Sequence, residues 1–189
     1  MSIRGDLSRK KILEVSRELF AAKGFSAVTM QDICDAAGLS RGGLYRHYAS
    51  TAEVFAAIIR QEQAAAFAAL ENAKALNIPP DKILRSFLRS RTTQLLDPSL
   101  SIDNATAEFA AGSELGRELL QKRAQTSVEI VTQILELGAE QGVFSCENCR
   151  QLALHIIWCL EGMGKHNSLI PLSREDADAH LELIFHLLK

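Results

Sequence analysis

The residues best suited to chemistry crowd between positions 41 and 47, where Arg41, Tyr45, Arg46 and His47 surround Gly42 and Gly43. An arginine presents a planar fork of donors that matches the O6 and N7 acceptors of guanine in the DNA major groove. Arg41 is placed to open a short helix, where side chains reach base edges. Arg46, one turn further in, is a second candidate for base or phosphate. Gly42 and Gly43 each cost a helix about 1 kcal/mol. A physical reason to keep them is that side chains there would hold the backbone away from a groove.

Such residues need elements to aim them, and the stretch Thr29 to Tyr48, TMQDICDAAGLSRGGLYRHY, supplies two. Thr29 caps a short helix, with Asp32 three positions on in the manner of a capping box. Ile33, Ala36 and Ala37 form its apolar face, and Gly38 ends it in the left-handed conformation. Ser40 caps a second helix expected to run from Arg41 to Tyr48. Two short helices around a tight turn form a helix-turn-helix, whose second helix enters the major groove. The pair is too small to bury a core alone. A preceding helix from Leu7 to Lys23 carries Ile12, Leu13, Ser16, Leu19 and Phe20 at helical spacing. With Phe25, Val28, Ile33, Leu39, Leu44 and Tyr48 these close a small three-helix core. Arg9, Lys10 and Lys11 sit in the first turn of that helix, the unfavourable end for cations, which suits residues that meet phosphate.

Bulk properties agree. The chain has 189 residues, 47% of them hydrophobic, with four prolines and eleven glycines. That is enough to bury a sizeable core and suits an all-α protein. The net charge of −2 does not itself suggest nucleic acid. Its distribution is more informative: residues 1–50 hold eight Lys/Arg against five Asp/Glu, and the rest thirteen against eighteen. A basic head on an acidic body fits a protein that meets phosphate at one end. No run approaches the roughly 18 apolar residues of a membrane helix, and the first residues lack an apolar signal region. The expected location is the cytoplasm, with its four cysteines as free thiols.

Beyond residue 50 the pattern stays helical. Ser50 and Glu53 repeat the capping-box spacing and start a long helix from about Thr51 to Leu76, taken as the mechanical link between head and body. Pro79-Pro80-Asp81 starts the next helix and Asp97-Pro98 ends it. A short helix near Ile102 to Ala110 and a long one from Ser113 to Gln141 follow. The helix from Asn148 to about Gly162 is apolar nearly all round, which implies burial on every side. The last helix, Ser173 to Leu188, repeats that pattern. Two adjacent helices of this kind suggest a four-helix interface between two copies, with Leu152, Ile156, Leu160, Leu181, Ile184, Phe185 and Leu188 as its residues. Phe67, Phe87, Phe109, His155 and Trp158 are the candidates for lining a small-molecule pocket.

The pieces ILEVSRELFAAKGFSAVTM, DICDAAGLSRGGLYRHY and STAEVF together resemble the TetR family of ligand-responsive transcriptional repressors. The resemblance is close over the first fifty or so residues and continues only as helical pattern beyond them. It implies an N-terminal three-helix domain, residues 1–50, that binds DNA. Residues 51–189 would form a helical ligand-binding and dimerisation domain. It also implies phosphate contacts at Thr29, Gln31, Tyr45 and His47. Hydroxyl and imidazole groups are suitable donors to phosphate. Tyr48 reads instead as a core aromatic. One departure stands out: where the family usually has a lysine that meets the DNA backbone, this chain has Thr51. A hydroxyl or the N-terminal N–H groups of the long helix can still bind phosphate, with a smaller salt dependence.

Other constellations carry less. Cys146-Glu-Asn-Cys149 has metal-like spacing, with His155 and Cys159 beyond it, but zinc needs four converging ligands. Cys149 and His155 stand nearly 120° apart around one helix. Nucleophile–base pairs and Gly-rich phosphate loops do not emerge, and His166, His180 and His186 share no evident partner. The expectation is therefore a non-enzymatic regulator without cofactor or metal. Its partners would be a pseudo-palindromic double-stranded operator, a small-molecule effector and a second copy of itself. A helical adaptor using the apolar C-terminal helices is the alternative.

Overall fold

The computed structural model describes residues 3–97, 99, 101–167 and 169–188, with side chains from residue 7 onward. Among these residues all regular structure is helical: α1 (Ile3–Lys23), α2 (Met30–Ala37), α3 (Arg41–Tyr45), α4 (Thr51–Ala75), α5 (Pro80–Leu96), α6 (Asp103–Gly112), α7 (Glu114–Glu140), α8 (Cys149–Asn167) and α9 (Arg174–His186). None is long and apolar enough to cross a membrane. Packing groups the chain into two compact units, Met1–Ala64 with Ser99–Arg123, and Ala65–Pro98 with Ala124–Lys189.

The first unit extends past residue 50 because its core needs more than three helices. Ile12, Phe20, Val28, Ile33, Leu44 and Tyr48 are buried as their spacing predicts, and Val54, Phe55, Ile58 and Ile59 of α4 complete the core. Phe109 of α6 is only 2% exposed and belongs to the same core. Its ring lies 4.6 Å from Phe25 and 5.4 Å from Phe55, and Phe20 meets Phe55 edge-on at 4.7 Å. Such tilted and edge-on pairs add stabilisation beyond the area they bury. Phe109 therefore belongs to the core around α2 and α3, apart from the other residues expected to line a pocket. An isolated phenylalanine in a short helix carries no sign of which core it joins.

Charge also ties this unit together. Arg17 of α1 meets Glu62 of α4 at 3.1 Å, and Arg123 of α7 meets Asp103 of α6 at 2.6 Å and Glu62 at 4.0 Å. The turn after α1 is held by α6. Glu108 accepts a hydrogen bond from the backbone N–H of Ser26 at 2.9 Å. Gly24 has φ +79° there, and a Cβ on it would collide with the Glu108 carboxylate. The backbone N–H groups of Ser26 and Phe25 hold that carboxyl below its ordinary range.

The second unit packs α5, α8 and α9 with the later parts of α4 and α7. Leu84, Leu88, Val131, Ile134, Leu135, Ile156, Leu160 and Leu181 fill its core. Asn167 clips the end of α5 to the α8–α9 connection, donating to Leu95 O and accepting from Leu172 N, both at 2.7 Å. Arg85 reaches across to Glu182 of α9 at 2.5 Å and lies over the Phe185 ring.

The residues expected at the interface take part in this core. Ile156, Leu160, Leu181, Ile184, Phe185 and Leu188 are all buried against their own chain, and Leu152 is half-buried against the same core. A helix apolar on every side does not reveal which row turns inward. The outward row carries Trp158, 58% exposed, with Leu183 at 59% and Leu187 at 62% on α9. Between the two helices runs a groove of about 450 Å³, lined by His155, Cys159, Met163, Leu183, Ile184 and Leu187 among others. The expected ligand set is likewise dispersed. Phe67 and Phe87 are half-buried against the second core, His155 stands on the groove wall and Trp158 is exposed.

Candidate nucleic-acid interface

The α2–α3 pair is assembled by local rules. Thr29 has extended backbone, and its Oγ1 accepts from Asp32 N at 3.2 Å, while Asp32 returns a carboxylate oxygen to Thr29 N at 2.8 Å. Lys23 adds an ion pair to the same carboxylate at 2.9 Å. The Thr29 hydroxyl and Lys23 beside Asp32 hold its carboxyl well below the usual carboxylate range. The Thr29 hydroxyl also donates to Asp32, so the donor expected for phosphate is engaged inside the cap. Gly38, at φ +65°, then turns the chain out of α2.

Ser40 caps α3 by accepting from Gly43 N at 3.2 Å. The helix ends at Tyr45, three residues earlier than its sequence suggests. Both His47 N and Tyr48 N fold back onto Leu44 O, tightening the chain into a turn. Leu44 is fully buried and anchors α3, and Tyr48 is 5% exposed beneath Arg9, whose guanidinium lies 5.6 Å from the ring centre. Arg41, Gly42, Tyr45 and Arg46 are exposed, His47 is half-buried, and Gly43 is buried. A Cβ at Gly42 would meet nothing within 4 Å, so the chain itself leaves this position open. Thr51 begins α4 behind the Ser50 cap, which accepts from Glu53 N at 3.2 Å. Glu53 in turn accepts from Ala49 N at 2.8 Å, one residue before the cap.

Arg41, Gly42, Tyr45 and Arg46 thus share one short exposed segment, with Gln31 beside it. Gln31 accepts from Arg41 Nε at 3.0 Å and donates to Asp35 at 2.8 Å. Its amide therefore faces two side chains of the same face. Asp35 has a sequence signal of its own, because Gln and Asp four apart on a helix form a recognisable pair. Glu108 carried no such local signal, because its partner lies 82 positions away.

The cysteines are free thiols. Cys149 Sγ lies 3.8 Å from Cys146 O, and Cys159 Sγ lies 3.6 Å from His155 Nε2. Burial, followed by the neighbouring Cys149, pushes the Cys146 thiol up to about 12, the reverse of a nucleophilic cysteine. Among the described residues no group of three or more His, Cys, Asp or Glu is placed to hold a metal ion.

Comparison with known proteins gives this geometry its context. Residues 12–58 match the model of bacterial regulatory proteins of the tetR family. The HTH-type transcriptional regulator YfiR of Bacillus subtilis is 31% identical over 142 residues, covering 74% of this chain and 69% of that protein. The transcriptional repressor KstR2 of Mycobacterium tuberculosis is 40% identical over 52 residues, covering 28% and 26%. The crystal structure of reduced NemR from E. coli superposes with a TM-score of 0.81 at 18% identity, covering 96% of this chain and 98% of that one, a likeness of fold. The family match falls on the capped pair and its supporting helices, and the YfiR similarity extends well beyond them. The chain accordingly belongs to the TetR family of DNA-binding transcriptional regulators.

Proposed function

We propose that the protein is a repressor that binds a pseudo-palindromic operator as a homodimer and is released by a small molecule. The observation that carries this reading is the exposed start of α3, where Arg41 precedes the open position at Gly42. Arg41 reads a guanine, and Arg46, Tyr45, His47 and the start of α4 at Thr51 meet the backbone. Two such heads address major grooves about 34–36 Å apart, or a multiple of that spacing. Trp158, Leu183 and Leu187 on the outward side of α8 and α9 are the surface for the second copy. Repression is supported by the name of the KstR2 relative. An effector acts only through different affinities for the DNA-competent and released forms. The uninterrupted helix α4, which contributes residues to both units, is the proposed route of that effect.

Selection of an operator from random duplex DNA, followed by titration of the parent and Arg41→Ala, tests the reading. The substitution should weaken binding by about 1–3 kcal/mol and relax one base position in each half-site. A parental base profile in Arg41→Ala would remove the base-reading assignment. Failure of the parent to select any sequence would remove operator binding itself.

A further inference from the structure

Resting on that reading of Arg41, we infer that Asp35 is a specificity-determining residue that never touches a base. It fixes the Gln31 amide, and the amide aims the Arg41 guanidinium. The chain of contacts is short: Gln31 Nε2 donates to Asp35 Oδ1 at 2.8 Å, and Arg41 Nε donates to Gln31 Oε1 at 3.0 Å. A primary amide has a donor end and an acceptor end, and an ionised carboxylate only accepts. Asp35 therefore selects one of the two amide orientations, with the nitrogen toward itself and the oxygen toward Arg41. The reversed amide would set its NH2 against the Arg41 Nε–H, donor against donor. With Nε held by Gln31, the guanidinium plane is set and its two terminal nitrogens remain for the O6 and N7 acceptors of guanine.

Two electrostatic effects weigh against the charge of Asp35, beside the small local gain of its i,i+4 bond to Gln31. It lies in the last turn of α2, the end where a carboxylate opposes the helix dipole. It is also exposed beside a segment that meets a polyanion, where negative charge weakens binding. Both effects disfavour an acid at this position, and orientation of Gln31 is what the acid supplies.

The test uses the full-length protein, the selected operator and its single-base-pair variants, with random duplex as the non-specific probe. Arg41→Ala should lose roughly 10–100-fold of preference at one base pair of each half-site. Asp35→Ala and Gln31→Ala should lose about three- to tenfold at that same pair and nowhere else. Asp35→Ala should also bind random duplex at least as tightly as the parent, a pairing of effects that simple destabilisation does not produce. Asp35→Asn can accept from Gln31 Nε2 or donate to Gln31 Oε1, so it no longer selects one amide orientation and should recover only part of the base preference. In an Arg41→Ala background, Asp35→Ala should change nothing further at that pair. An unchanged base profile in Asp35→Ala, a loss spread evenly over all positions, or a loss that persists without Arg41 would overturn the inference. None of those results touches the assignment of Arg41, which fails only if Arg41→Ala itself keeps the parental profile.

Discussion

The faces of α3 and of α8–α9 are both exposed, and they are prepared in opposite ways. Around α3 several exposed polar groups are held by partners within the chain: Arg41 by Gln31, Gln31 by Asp35, and the helix start by Ser40. Across α8 and α9 the exposed large apolar groups are Trp158, Leu183 and Leu187, the two leucines lining an apolar groove. A face of fixed donors awaits a partner rich in acceptors, because orientation has been settled before contact. An apolar face gains by being covered, and its partner need only match it in shape. On the proposed reading one surface selects by geometry and the other would be covered by exclusion of water.

The largest effect should come from breaking the apolar face. Leu183→Asp with Leu187→Asp introduces two carboxylates that a covered surface would have to desolvate. Light scattering should show a monomer in place of a dimer, and operator affinity should fall by about a hundredfold or more as the paired heads separate. A dimer with parental affinity would move the contact between copies elsewhere. Next in size, Phe109→Ala should remove about 3–5 kcal/mol from the unfolding free energy, measured by chemical denaturation. A loss below about 1 kcal/mol would take this ring out of the core. On the polar face the effects are smaller. Thr29→Ala should lower stability by about 1 kcal/mol through the lost cap.

The smallest effect depends on pH. The folded Asp32 carboxyl lies below its ordinary value, so its stabilising contribution is complete above the unfolded pKa of about 4 and fades as pH falls below it. The melting-temperature gap between parent and Asp32→Asn should therefore be constant near neutrality and close in acid. A gap that persists unchanged through acid would show that the cap does not depend on this charge.

The same contrast explains what could be read in advance. Thr29, Asp32, Gly38 and Ser40 act on neighbours a few positions away, so their spacing alone announces the caps and the turn. Tyr48 was legible as a core residue, and the structure buries it. In α8 the apolar positions surround the helix, and nothing local separates Ile156, which is buried, from Trp158, which is exposed. Apolar spacing alone therefore does not separate the inward row from the outward one. Phe109 and Glu108 act through partners far along the chain, and distance of that kind leaves no periodic trace.

The grip of Glu108 on the turn before α2 has a mechanical corollary. Hydrogen bonds weaken steeply once stretched or bent, and this one joins backbone at position 26 to a side chain 82 residues later. Gly24, with no Cβ, lets the carboxylate come this close to the main chain. A movement of α6 is therefore felt at the loop before α2, because the carboxylate couples the two through a single flexible side chain.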